Sequence, residues 1–222
     1  MSRRHRAFEY FLQQARPFLV RHHGEEPADE IVAATRVEYE RVLPLVPDIG
    51  GARNVFQTVM TANGWIVALH AAMIARGLEV EDVIRVCHEA LDAWFRRMPG
   101  WLLRAIGRLL LSPPGRWYFE HQARRSQERR YPEDFVWQVE RGDAGELSLV
   151  FDECAVNKWY EALDVRELGP YCNFADVTYS RLMGMGIDAG ETIGGGCKKC
   201  ALRYKHGRAT PVPPNLEGIV LG

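Results

Sequence analysis

Apolar residues recur every three to four positions through much of the first 111 residues, and that spacing predicts a succession of helices. Phe8–Val20 is followed by Arg21-His22-His23-Gly24, a basic last turn closed by glycine. Pro27–Leu43 opens on proline and acids and carries Ile31, Val32, Thr35, Tyr39 and Val42 at helical spacing. Thr58–Arg76 is the most apolar segment, with Val59, Ala62, Trp65, Ile66, Leu69 and Met73 down one side and Gly77 as its stop. Val80–Met98 follows with a stripe of Val83, Ile84, Cys87, Leu91 and Trp94. Trp101–Leu111 is expected to end at Ser112-Pro113-Pro114-Gly115.

After Pro132 the texture changes. Phe135–Arg141 and Leu147–Phe151 are strand-like and flank Gly142-Asp143-Ala144-Gly145, a hairpin-loop signal. Helices are expected over Glu153–Leu163 and Gly169–Met183. Two closing strands are expected near Ile187–Ile193 and Lys198–His206, joined by Gly194-Gly195-Gly196, which reads as a hairpin turn. The prediction is α+β: a helical region over 1–131, packed on a four-stranded antiparallel sheet with two short helices, ββααββ, over 132–209. An irregular C-terminal arm over 210–222 completes what is expected to be one compact domain, with a pocket between the helical half and the cysteine-bearing elements.

Composition narrows the function. With 222 residues and 47% hydrophobic residues the chain can bury a core. Its formal net charge of −1 argues against a broadly basic nucleic-acid binder. The arginines at 124, 125, 129 and 130 are diluted by Glu120, Glu128, Glu133 and Asp134, which fits a solvated charged face. No apolar run reaches the roughly 18 residues of a membrane span. The basic start, Ser2 to Arg6, is not followed by an apolar stretch of export-signal length. A soluble, cytoplasmic protein with a small-molecule substrate, and with neither nucleic acid nor membrane as partner, is expected; the oligomeric state is not legible.

Five cysteines are too few for a disulfide scaffold. Cys87 stands alone in a helix and reads as packing. Cys154, Cys172, Cys197 and Cys200 crowd into 47 residues, and clustered thiols in a reducing compartment point to catalysis or metal binding. Cys154 sits where a helix should begin, so its thiolate would feel the positive end of the helix dipole. Cys172 lies inside or near the start of the next helix, with Asp176 one turn on along the same face. The Cys197-Lys198-Lys199-Cys200 spacing is a half-site for a tetrahedral ion such as zinc, completed by Cys154 and Cys172 or by Cys172 plus a histidine. A redox pair and unligated thiols are the other readings of that spacing.

The stretch from Asp152 to Tyr204 resembles the L-2-amino-thiazoline-4-carboxylic acid hydrolase family. The residues that carry the resemblance are Glu153-Cys154-Ala155-Val156 after a hairpin, Leu168-Gly169-Pro170-Tyr171-Cys172 with an acid shortly after, and Glu191-Thr192-Ile193 before the glycines and Cys200-Ala201-Leu202-Arg203-Tyr204. The closing hairpin is also similar to vinyl-4-reductase-type small-molecule-binding domains, some of which hold a metal with cysteines. The first resemblance implies a hydrolase that opens a cyclic isothiourea: water adds to the carbon between nitrogen and sulfur, and the ring sulfur leaves. It implies Cys172 or Cys154 as nucleophile or leaving-group stabiliser, Asp176 as proton carrier and Arg203 as carboxylate anchor. His70 and Asn63, two turns apart on one helix, are candidate pocket-lining residues. The second implies a non-catalytic small-molecule-binding or metal-sensing module, with Cys197 and Cys200 as ligands.

Overall fold

A computed structural model describes residues 2–142 and 146–221. The centre of the expected hairpin loop, 143–145, lies outside the described residues. The chain divides into two compact units, Met1–Trp94 and Phe95–Gly222.

The first unit is helical: α1 Arg3–His23, α2 Glu25–Val42, α3 Gln57–Ile74 and α4 Val80–Arg96, which runs just past the boundary. Gly24, at φ 91°, ends α1 and begins α2, a backbone conformation that glycine adopts without the Cβ penalty. The core is aromatic where α1, α2 and α3 meet. Phe8 stacks on Tyr39 at 3.7 Å between centroids, and Phe11 stacks on Trp65 at 5.5 Å. Cys87 is buried in α4, and burial alone pushes its thiol up to about 12, which leaves an inert apolar side chain.

The second unit begins with α5 Gly100–Leu110 and α6 Pro113–Ser126. The Ser112-Pro113-Pro114 sequence that stops α5 also starts α6. Ser112 Oγ accepts the amide of Gly115, and the prolines occupy first-turn positions where no amide is needed. The helical run expected to end at Ser112–Gly115 is therefore interrupted there, and a second helix follows.

The sheet is fully antiparallel in the order β1-β2-β4-β3, from β1 Val136–Arg141, β2 Glu146–Glu153, β3 Ile187–Glu191 and β4 Cys200–Lys205. Between β2 and β3 lie α7 Ala155–Ala162, a 3-10 turn Arg166–Tyr171 and α8 Phe174–Met183. The mixed helix-and-sheet architecture and the strand–strand–helix–helix–strand–strand order are those the sequence predicts. Gly169-Pro170 and the junction at Cys172 and Asn173 divide the second expected helix into a 3-10 turn and α8. The closing strands are shorter than expected, because 192–199 forms the turn between them.

Register settles which strand residues share a face. Trp137 pairs with Phe151, Phe151 with Cys200, Leu149 with Leu202, and Leu147 with Tyr204. These residues form one apolar face, while Gln138, Glu140, Ser148 and Arg203 alternate onto the other. Helices cover the apolar face: α6 packs on β1, α8 on β3, and α5 on α8. Ser126 Oγ accepts the amide of Trp137 at 3.1 Å, pinning α6 to the sheet edge.

The C-terminal residues are more ordered than an irregular arm. A 3-10 turn Pro214–Leu216 runs into α9 Glu217–Val220, with Leu216 and Ile219 buried. Asn215 Nδ2 donates to the carbonyl of Pro170 at 2.8 Å, fastening the tail to the segment that carries Cys172. Among the described residues, no helix is long and apolar enough to cross a membrane.

Candidate active site

β2 delivers Cys154 to the site. The strand ends at Glu153, Cys154 takes an extended N-cap conformation (φ −112°, ψ 114°), and α7 starts at Ala155. Its thiol therefore lies at the positive end of a helix, beside the amides of Val156 and Asn157. The sheet supplies the second thiol. Cys200 opens β4 on the apolar face and donates its S–H to Cys154, while its own sulfur accepts the Ile193 amide at 3.1 Å.

These contacts divide the pair electrostatically. The hydrogen bond from Cys200, followed by the amide and side chain of Asn157 and the amide of Val156, draws the Cys154 thiol down to about 7 against the opposing effect of burial. Donating to Cys154, together with burial, holds the Cys200 thiol protonated. Cys154 is the thiolate of the pair and Cys200 its hydrogen-bond donor.

Cys172 is the third thiol. It ends the 3-10 turn, its amide donating to the carbonyl of Gly169 at 3.1 Å. Asn173 anchors the junction through Nδ2, which donates to Ala189 on β3 at 2.9 Å. Burial pushes the Cys172 thiol up, and the charges of Cys154 and Asp176, both close enough to act on it, push it further. Cys172 is therefore a neutral thiol near two ionisable groups.

Asp176 lies in the first turn of α8. Its Oδ1 accepts from the Tyr179 hydroxyl at 2.5 Å, and the hydroxyls of Tyr179 and Tyr204 are 2.9 Å apart. Burial raises the carboxyl to about 6, with the Tyr179 hydrogen bond partly offsetting it. Both tyrosines are held protonated, first by burial and then by the Asp176 charge. A carboxyl that exchanges its proton near neutrality is thus linked to two phenols.

Asn157 is the hinge of the constellation. Its Nδ2 is buried with no hydrogen-bond partner at proper geometry, yet the side chain lies near enough to Cys154 and Cys172 to favour both thiolates. Its Oδ1 is wedged between glycines. A Cβ on Gly169 would come within 2.9 Å of it. One on Gly194 would come within 2.8 Å of it and 2.0 Å of the Gly169 carbonyl. Glycine at both positions lets the β3–β4 turn close over the 3-10 turn, bringing Thr192 near Cys172 as well.

The structure brings together Cys154, Cys172, Cys200 and Asp176, and adds Asn157, Tyr179, Tyr204 and Thr192. It places the other sequence candidates elsewhere. Arg203 leaves the face opposite Cys200 and Tyr204, where its guanidinium pairs with Glu191 at 3.0 Å and faces Asp188 at 3.9 Å. Cys197 is exposed in the turn while Cys200 is buried, so the two do not converge as a two-thiol half-site. Among the described residues, no group of three or more His, Cys, Asp or Glu side chains is arranged to hold a metal ion. His70 is buried on α3, and Asn63 on the same helix donates to the carbonyl of Val59 at 2.9 Å, both in the first unit. Of the added residues, Asn157 had a local signal, three positions after the helix-starting cysteine. Tyr204 had none, since a tyrosine on an apolar strand face looks like core.

No family model, curated protein or solved structure matches this chain.

Proposed function

We propose that this protein is a thiol-dependent hydrolase of a small C=N-containing heterocycle, of the type its sequence resembles, the L-2-amino-thiazoline-4-carboxylate hydrolases. The observation that carries this reading is Cys154 at the N-terminus of α7 with the Cys200 S–H directed at it. The arrangement favours a thiolate nucleophile near neutral pH.

The Cys154 thiolate adds to the ring carbon between nitrogen and sulfur, forming a new C–S bond. The ring C–S bond then breaks, and Asp176 supplies the proton that the departing sulfur takes up. The substrate is left as an isothiourea on Cys154. Water attacks that carbon, Asp176 takes its proton, and Cys154 leaves again as thiolate. The product is a ureido acid bearing one new free thiol. Cys172, a neutral thiol near both Cys154 and Asp176, and the Tyr179–Tyr204 pair hold the proton path in place. Arg203, paired on the other sheet face, has no part in it.

The test is direct. Incubate the full chain with L-2-amino-thiazoline-4-carboxylate, remove protein by filtration and count small-molecule thiols. Turnover by the native chain and its loss in Cys154→Ala with an unchanged melting temperature are expected. Turnover in Cys154→Ala equal to that of the native chain would contradict the assignment.

A further inference from the structure

The surface of α5 carries a feature that the thiol site does not use. From Phe95 to Phe119 the chain holds five arginines and no carboxylate, in a protein whose net charge is −1. This segment also holds the most exposed large apolar side chains of its unit apart from Leu221. Trp101 is 71% exposed, Leu109 64%, and Trp117, at the start of α6, 63%.

The arrangement on α5 is ordered. Leu103 and Gly107 face inward, and Gly107 has the backbone of Met183 so close that a Cβ would come within 2.4 Å of its carbonyl. At 100° per residue, Trp101, Arg108 and Leu109 then fall on the outward side, with Arg104 exposed on its flank. Among the described residues, Arg104, Arg108 and Arg116 pair with no carboxylate. Arg108 donates to His206 at 3.2 Å and Arg116 to the Leu111 carbonyl at 3.2 Å. A helix therefore turns both cations and large apolar groups to solvent.

We infer that the outward face of α5 is a docking surface for an anionic lipid bilayer. Arginines that lack carboxylate partners complement lipid phosphates, while Trp101 and Leu109 enter the headgroup boundary. A nucleic acid would satisfy the charges but leave Leu109 with nothing to bury against, so the apolar component favours lipid. Eleven residues at 1.5 Å each span about 16 Å, roughly half a hydrocarbon core, so the helix lies in the interface and does not cross it.

The experiment is co-sedimentation of the full chain with vesicles of equimolar phosphatidylcholine and phosphatidylglycerol, against phosphatidylcholine alone. Binding to the anionic vesicles only, weakened by salt, is expected. Each arginine neutralised by Arg104→Gln or Arg108→Gln should lower partitioning about fivefold. Trp101→Ala with Leu109→Ala should lower it about tenfold or more, with the melting temperature unchanged. Equal partitioning to both vesicle types, no binding at low salt, or binding of a single-stranded oligonucleotide without binding of vesicles would each overturn the inference. So would unchanged partitioning in the Trp101→Ala, Leu109→Ala protein.

Discussion

Removing Cys200 isolates the interaction on which the proposed thiol chemistry depends. In the native chain Cys154 is drawn from an ordinary value of 9.0 to about 7, and the S–H of Cys200 is the largest cause. At pH 7 this makes about half of the Cys154 population thiolate, where an ordinary thiol would be about 1% ionised. Lower basicity costs nucleophilicity, with a Brønsted slope of about 0.4 to 0.5, so the roughly fifty-fold gain in thiolate shrinks to about sixfold in rate. A hydrogen bond to a charged group is worth about 1.5 to 3 kcal/mol, which corresponds to about one to two pKa units. Cys200→Ala should therefore move the Cys154 midpoint up toward its ordinary value. The assay is the pH dependence of iodoacetamide alkylation followed peptide by peptide, so that exposed Cys197 is read separately. A native midpoint near 7 and a higher one in Cys200→Ala are expected. Equal midpoints in the two proteins would refute the division of the pair into thiolate and donor.

Three further outcomes follow from the same geometry. Turnover, expressed as kcat/KM, should follow a bell with its maximum between pH 6 and 7, falling on the acid side as Cys154 protonates and on the alkaline side as Asp176 ionises. A flat profile from pH 6 to 9 would contradict the roles given to both groups. Because the folded-state pKa of Asp176 is raised from 3.8 to about 6, its effect on stability is absent below about pH 4 and grows unfavourable as pH rises through 6. Asp176→Asn should thus stabilise the fold at pH 8 by up to about 3 kcal/mol and gain nothing at pH 4, as read from urea midpoints. A loss of stability at pH 8 would count against the burial argument. Gly194→Ala places a Cβ 2.0 Å from the Gly169 carbonyl, and backbone cannot rotate away as a side chain can. It should cost about 1 to 3 kcal/mol and raise the Cys154 midpoint by displacing Asn157; native-like stability would show that the turn packs differently.

Much of the fold was legible because its elements obey local rules. The 3.6-residue stripes of α1 to α5 and the two-residue alternation of β1 and β2 each follow from one buried face. The errors came where one residue serves two elements. Ser112 and the following prolines end one helix and cap the next, so reading them only as a stop hid α6. Gly169-Pro170 tightens the chain into a 3-10 turn, which the apolar spacing of 169–183 does not reveal. Leu216 and Ile219 bury too little chain to show a period, yet they seat the tail.

The candidate site was legible in part for the same reason. Cys154 was visible at a helix start and Asp176 one turn beyond Cys172, both local properties. The face that Arg203 takes was not legible, because for a strand residue it depends on register. Its pairing opposite Ser148 and Asp188 puts it away from Cys200 and Tyr204. The contacts of Cys200 with Cys154, and of Tyr204 with Tyr179, join residues that only the folded sheet makes neighbours. Sequence spacing had instead suggested Cys197 as the companion of Cys200.

The most direct test of the thiol mechanism is the mass of the protein quenched in acid during turnover of L-2-amino-thiazoline-4-carboxylate. Ring opening by addition retains every atom of the substrate, so an adduct heavier by one intact substrate is expected, mapping to the Cys154 peptide and absent in Cys154→Ala. Turnover with no adduct on Cys154, under conditions where attack by water limits the rate, or an adduct on Cys172 instead, would contradict the account.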